Sequence, residues 1–196
     1  MIDHNNKLIF VHLEKTGGTS IEKKLTNLDW WWVGQYPLLK DLYKYDNGNI
    51  KHLSLSMSKI FYKDFYDNYK KFIIVRHPYT LFVSKYFHFH RNKKIDKISK
   101  KDIMNLIKNS NTRWNIKKLH EFTGDKENYD YVIRFENLSE DYKDMCNKFN
   151  MDKNYYKLPH LYKSSYNKKK DFLSKEAKEA IRDYCNVYAR IFGYDF

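Results

Sequence analysis

Lys7-Leu8-Ile9-Phe10-Val11-His12-Leu13-Glu14-Lys15-Thr16-Gly17-Gly18-Thr19-Ser20 is the stretch on which the fold turns. Leu8, Ile9, Phe10 and Val11 form a short β-type run, the glycines follow at once, and a helical pattern continues to about Leu28. The order is strand, loop, helix. Adjacent Gly17 and Gly18 let the backbone turn tightly and bring its N–H groups close to an anion. A helix beginning at Thr19 or Ser20 would aim its N-terminal N–H groups and positive dipole end at the same point. Lys15, Thr16, Thr19 and Ser20 add donors, so the loop is expected to cradle a phosphate-like group. A Walker A loop places its Lys after the last Gly, whereas Lys15 precedes Gly17 and Gly18 here, which excludes the NTPase pattern. The competing reading is an ordinary strand-to-helix turn with Lys15 in solvent.

Downstream, Phe72-Ile73-Ile74-Val75 is a continuous apolar run, as expected of a strand buried on both faces. Pro78 suits a first helical turn, and a helix is expected from about Tyr79 to Phe89. Arg76 closes the strand and Ser84 lies along that helix, with Thr80 and His88 four residues either side, so Arg76 and Ser84 could converge on a second anion. Further helices are expected near Lys101 to Lys108 and Ser139 to Phe149, with a strand at Tyr131-Val132-Ile133. Ile50 to Ser54 reads as a short strand or strand end. Ala177, Ile181, Tyr184, Cys185, Tyr188 and Ile191 mark one face of a last helix. Buried strands alternating with helices imply an α/β fold with a parallel sheet, and 196 residues suit one domain over 1–196.

Lys plus Arg exceed Asp plus Glu by 37 to 24, so the +13 charge calls for an anionic partner without choosing among nucleic acid, acidic membrane, acidic glycan and nucleotide. Cys146 and Cys185 are too few for a disulfide framework or a four-thiolate zinc site and read as reduced, buried thiols. His88 and His90, two apart, point to different sides of a helix and make no metal pair. The start Met1-Ile2-Asp3-His4 has no signal-peptide pattern, and no run approaches the ~18 apolar residues of a membrane span. A cytoplasmic location is therefore expected.

The two loops together resemble the sulfotransferases that use 3′-phosphoadenosine 5′-phosphosulfate (PAPS), especially the membrane-anchored carbohydrate sulfotransferases and their small bacterial and viral relatives. Phe10 to Ser20 looks like that family's loop for the 5′-phosphosulfate, and Phe72 to Tyr86, with Arg76 and Ser84, looks like its 3′-phosphate site. The likeness continues in Arg134-Phe135-Glu136-Asn137-Leu138, Leu158-Pro159-His160-Leu161 and Ile191-Phe192-Gly193-Tyr194. Four positions depart from it: Glu14 stands where Pro is usual, His77 and Tyr162 where Asn is common, and Leu81 where Arg is common. The resemblance implies a P-loop-like sheet flanked by helices, PAPS as donor, the desulfonated nucleotide PAP as product, no metal, and an acceptor hydroxyl on a carbohydrate.

Under that resemblance Lys15 neutralises the leaving phosphate, Thr16, Gly17, Gly18, Thr19 and Ser20 hold the 5′ side, Arg76 and Ser84 hold the 3′-phosphate, and Lys163 and Ser164 close over it. His52 is the first choice of base, in the region where similar enzymes present a catalytic His, and Glu14 is the second. Glu14 beside the loop either weakens donor binding by repulsion or supplies a base. Trp30 to Trp32 and Thr112-Arg113-Trp114 either line an acceptor cleft or pack as core. Two other classes compete: a P-loop-type kinase, which needs magnesium, and a basic nucleic-acid binder, which lacks a recognised module here. No nucleic-acid partner is expected.

Overall fold

A computed structural model of the chain describes residues 1–25, 52–91, 93–108, 119–159 and 171–196. Within them, β1 (Ile2–Asp3), β2 (Leu8–Val11), β3 (Lys70–Val75) and β4 (Tyr131–Arg134) form one sheet in the order β1-β2-β3-β4. β2, β3 and β4 are parallel, with Val11 opposite Ile73 and Val75 opposite Arg134. β1 runs antiparallel to β2, so the sheet is mixed where a parallel one was expected. A two-residue strand leaves no periodicity to read.

Parallel neighbours require crossovers, and helices occupy them. α1 (Gly18–Leu25), α2 (Leu55–Phe61) and α3 (Lys63–Tyr66) lie between β2 and β3. α4 (Pro78–Phe89), α5 (Lys100–Lys108) and α6 (Leu119–Thr123) lie between β3 and β4. α7 (Leu138–Lys148) and α8 (Lys175–Phe192) complete the α/β fold. The strand expected at Ile50 to Ser54 does not form in its described part. Ser54 instead caps α2 by accepting the Met57 N–H at 3.2 Å, which draws the following residues into a helix.

The described residues form two compact units. The first comprises those of Met1–Val75 and Glu121–Leu161 and contains the sheet. Side chains alternate across a strand, so Leu8, Phe10, Phe72, Ile74 and Ile133 share a core with Ile21 and Leu25 of α1 and Tyr142, Met145 and Cys146 of α7. Ile9, Val11, Ile73 and Val75 alternate with them and are buried too, which is why β2 and β3 read as unbroken apolar runs.

Asp130 fixes the β3–β4 register from the entry of β4. Its Oδ2 accepts the Lys71 N–H at 2.8 Å, its Oδ1 accepts from Lys70 Nζ at 3.3 Å, and its own N–H donates to the Lys71 carbonyl at 2.8 Å. Partial burial opposes ionisation, yet the Lys71 N–H and the Lys70 ammonium outweigh it and hold the carboxyl below the usual aspartate value. A lowered folded value contributes stability that is present above the unfolded pKa near ~3.9 and is lost as pH falls through the folded value. Asp130→Asn should therefore lower neutral-pH stability by about 1 kcal/mol, and the gap to wild type should close in acid. Denaturant titrations at pH 7 and pH 3 check this; an unchanged gap at the two pH values contradicts it.

The second unit comprises the described residues of Arg76–His120 and Tyr162–Phe196. Ser174 caps α8 by accepting the Ala177 N–H at 3.1 Å, and Ala177, Ile181, Cys185, Tyr188 and Phe192 make its buried face. Just before the cap, Ile98 bridges Leu173, donating to the Phe172 carbonyl at 2.7 Å and accepting the Ser174 N–H at 3.0 Å. Cys146 and Cys185 are both free and buried; burial raises the Cys146 thiol and pushes the Cys185 thiol up to about 12. Neither is poised as a nucleophile. Among the described residues no helix is long and apolar enough to cross a membrane.

Candidate active site

The loop between β2 and α1 carries two left-handed residues, Lys15 at φ 62° and Gly17 at φ 81°, on either side of buried Thr16. Thr16 Oγ1 donates to the Leu13 carbonyl at 2.5 Å and pins the turn from inside. With Thr16 between them, the two left-handed residues coil the loop tightly at the head of α1, the kind of turn from which anion nests are made. Glycine is natural at Gly17; at Lys15 a side chain with a β-carbon takes the same conformation at a cost of about 1 kcal/mol. Strain of this kind collects where a backbone is shaped for a ligand. Ser20 donates to the Gly17 carbonyl at 3.1 Å, closing the first turn of α1.

Both glycines also answer to close packing. A β-carbon on Gly17 would lie 3.1 Å from Leu138 Cδ2 and 3.2 Å from Phe135 Cε2. These two side chains follow β4, so the Arg134 to Leu138 segment supplies a wall behind the loop. A β-carbon on Gly18 would lie 2.3 Å from His12 Nε2, a clash.

His12 is the residue that sequence reasoning passed over. It is 3% exposed at the end of β2, stacks on Phe10 with ring centroids 5.1 Å apart, and faces Glu22 of α1 through Nδ1 and Oε1. Its signal was present: Glu22 follows Ile21 and precedes Leu25 by three positions, on the apolar side of α1. A charge there calls for a buried partner.

His52 and Glu14, two alternatives in the sequence, are neighbours in the structure. His52 Nε2 lies 3.3 Å from Glu14 Oε1, and its Nδ1 lies 2.9 Å from the His12 carbonyl. A carbonyl only accepts, so Nδ1 carries a proton, and Nε2 and the Glu14 carboxylate are the two positions between which a proton taken up by the pair would sit. With side-chain exposures of 15% for His52 and 11% for Glu14, the pair is well shielded. Chemically it is a proton acceptor of two groups beside an anion nest.

In the second unit, Arg76 follows β3 and is buried. Its backbone N–H donates to Tyr188 Oη at 3.0 Å and its carbonyl accepts from the same hydroxyl at 3.0 Å, so α8 fixes its main chain. Arg76 Nε donates to Thr80 Oγ1 at 3.0 Å. Ser84, half-buried, sits one turn beyond Thr80 on α4. The guanidinium is thus tied to the helical face that carries Ser84. His77, where Asn was the expected type, does the work of a cap: Nδ1 accepts the Tyr79 N–H at 3.2 Å while Nε2 donates to the Asp195 carbonyl at 2.9 Å. His90 stacks on Tyr86, with centroids 4.1 Å apart.

Lys163, Ser164, Tyr162, Trp30 to Trp32 and Thr112 to Trp114 lie outside the described residues. Compared with the curated proteins and with the solved structures, the chain finds no match. The family model described as Sulfotransferase family matches residues 1–190, which include both loops and the His52–Glu14 pair. Spanning nearly the whole sequence, that match means that the chain belongs to the sulfotransferase family.

Proposed function

We propose that this chain is one sulfotransferase domain that moves the sulfuryl group of PAPS to an acceptor hydroxyl on a carbohydrate. The observation that carries the reading is the nest at Lys15 to Gly17, at the head of α1, with a two-group proton acceptor beginning at the adjacent Glu14. In the step, the sulfur breaks its bond to the oxygen bridging to the 5′-phosphate and forms one to the acceptor oxygen. The acceptor proton passes to the His52–Glu14 pair, and the electron pair of the broken bond stays on PAP. Lys15 and the backbone N–H groups of the loop stabilise that charge where it develops. Thr16 to Ser20 hold the 5′ side; Arg76, oriented by Thr80, and Ser84 take the 3′-phosphate, and Lys163 and Ser164 close over it. The +13 charge suits an anionic acceptor in general, and the family resemblance points to an acidic glycan among them.

The donor is tested by thermal unfolding of the full chain with PAP, and separately with ATP plus magnesium. A ligand bound only by the native state raises apparent stability, by about 2.7 kcal/mol at a hundred times its Kd. PAP should raise the midpoint and ATP with magnesium should not; the reverse would move the chain to the kinase class.

If His52 and Glu14 act as one unit, His52→Ala and Glu14→Gln should each lower kcat by about 10²- to 10⁴-fold. The double variant should fall no further than the worse single. Losses that multiply would separate the two roles. PAP affinity, measured alongside, should survive His52→Ala.

A further inference from the structure

We infer that His12, held by Glu22, is a positioning residue that couples the phosphate loop to the His52–Glu14 pair. Three contacts from one residue carry this. The His12 ring edge bearing Nε2 and Cδ2 lies so close to Gly18 that a β-carbon there would stand 2.3 and 2.4 Å away, so the ring sets how near α1 can begin to β2. Nδ1 faces Glu22, one turn along the same helix, which closes the ring between two points of α1. The His12 carbonyl receives His52 Nδ1 at 2.9 Å, and the two rings lie 4.4 Å apart, so the same residue sets the tautomer and the tilt of His52.

Stacking on Phe10 fixes the last freedom of the ring. His12, Glu22 and Gly18 are all buried, which leaves little room for the ring to relax. Displacing the ring therefore moves the helix N-terminus and the base together. Within the sulfuryl-transfer reading, on which the purpose of the coupling rests, this fixes the leaving phosphate and the proton acceptor relative to each other. Misplacement of about 1 Å can cost ~10²-fold in rate even from outside the chemistry.

Glu22 faces the His12 ring, so a change at Glu22 read out at His52 follows the coupling through that ring. The experiment is nitrogen-15 NMR of the His52 ring in the folded full chain, with PAP binding by calorimetry on the same samples. In the wild type, Nδ1 of His52 should be protonated. In Glu22→Ala both ring nitrogens should move toward tautomer-averaged shifts, and PAP should bind about tenfold more weakly, as loss of one charged hydrogen bond would give.

Glu22→Gln keeps the shape and an acceptor oxygen and should move both readouts the same way by less. It decides alone if the Ala variant does not fold. His52 shifts that stay at their wild-type values in a folded Glu22 variant overturn the inference, whatever happens to PAP. A purely structural His12–Glu22 pair would lower the thermal midpoint and leave those shifts unmoved. Wild-type protein that fails to bind PAP would sink the donor reading while the NMR arm still judges the coupling.

Discussion

Lys15→Ala should lower kcat by about 10²- to 10³-fold, the usual cost of removing one donor aimed at a developing oxyanion. The loss should fall on turnover more than on acceptor KM, because the charge on the bridging oxygen grows only as the sulfuryl group departs. Backbone conformation offers a control. Lys15 is held at φ 62°, a region that costs an L-residue and not glycine. Lys15→Gly should thus be as inactive as Lys15→Ala yet more thermostable than wild type by about 0.5–1 kcal/mol. Arg at this position should not rescue, since its planar fork does not replace a compact ammonium. Turnover above a tenth of wild type in Lys15→Ala would remove the assigned role.

Gly18→Ala should damage the same site without touching a charge. The added methyl group would sit 2.3 Å from His12 Nε2, and the ring is hemmed in by Phe10, Glu22 and His52. Overpacking of this kind costs about 1–3 kcal/mol. Relief requires α1 to back away from β2, which opens the nest, so PAP affinity and stability should fall together. A double-mutant cycle with His12→Ala identifies the cause: removing the ring makes room for the methyl group, so the two losses should be strongly non-additive. Additive effects would mean that the ring is not what excludes a side chain at position 18.

Much of the sheet was legible because burial on both faces writes itself as an apolar run. Leu8 to Val11 and Phe72 to Val75 announced β2 and β3, and α4, α5 and α7 begin within a residue of their expected starts. Ile2–Asp3 was illegible because its partner, β2, supplies its order. Ile50 to Ser54 read as a short strand or strand end, but Ser54 is a helix cap, and a local hydrogen bond prevailed. The loop residues were proposed from glycine spacing and donor chemistry. What spacing could not supply was the meeting of His52 with Glu14, 38 positions apart by subtraction of their numbers, or the role of His12. Those depend on strand pairing and helix packing, which sequence distance does not encode.

The shared direction of β2, β3 and β4 has a practical consequence for handling the protein. Their carboxyl ends all leave one rim of the sheet, where the nest and its Phe135–Leu138 wall are built. The opposite rim receives Lys7 before β2, Asn68 and Tyr69 before β3, and Asp125 to Asn128 ahead of β4. Fluorophores, affinity handles or surface attachment belong on that far rim. A dye placed at exposed Asn68 would report on the protein from the rim opposite the candidate site.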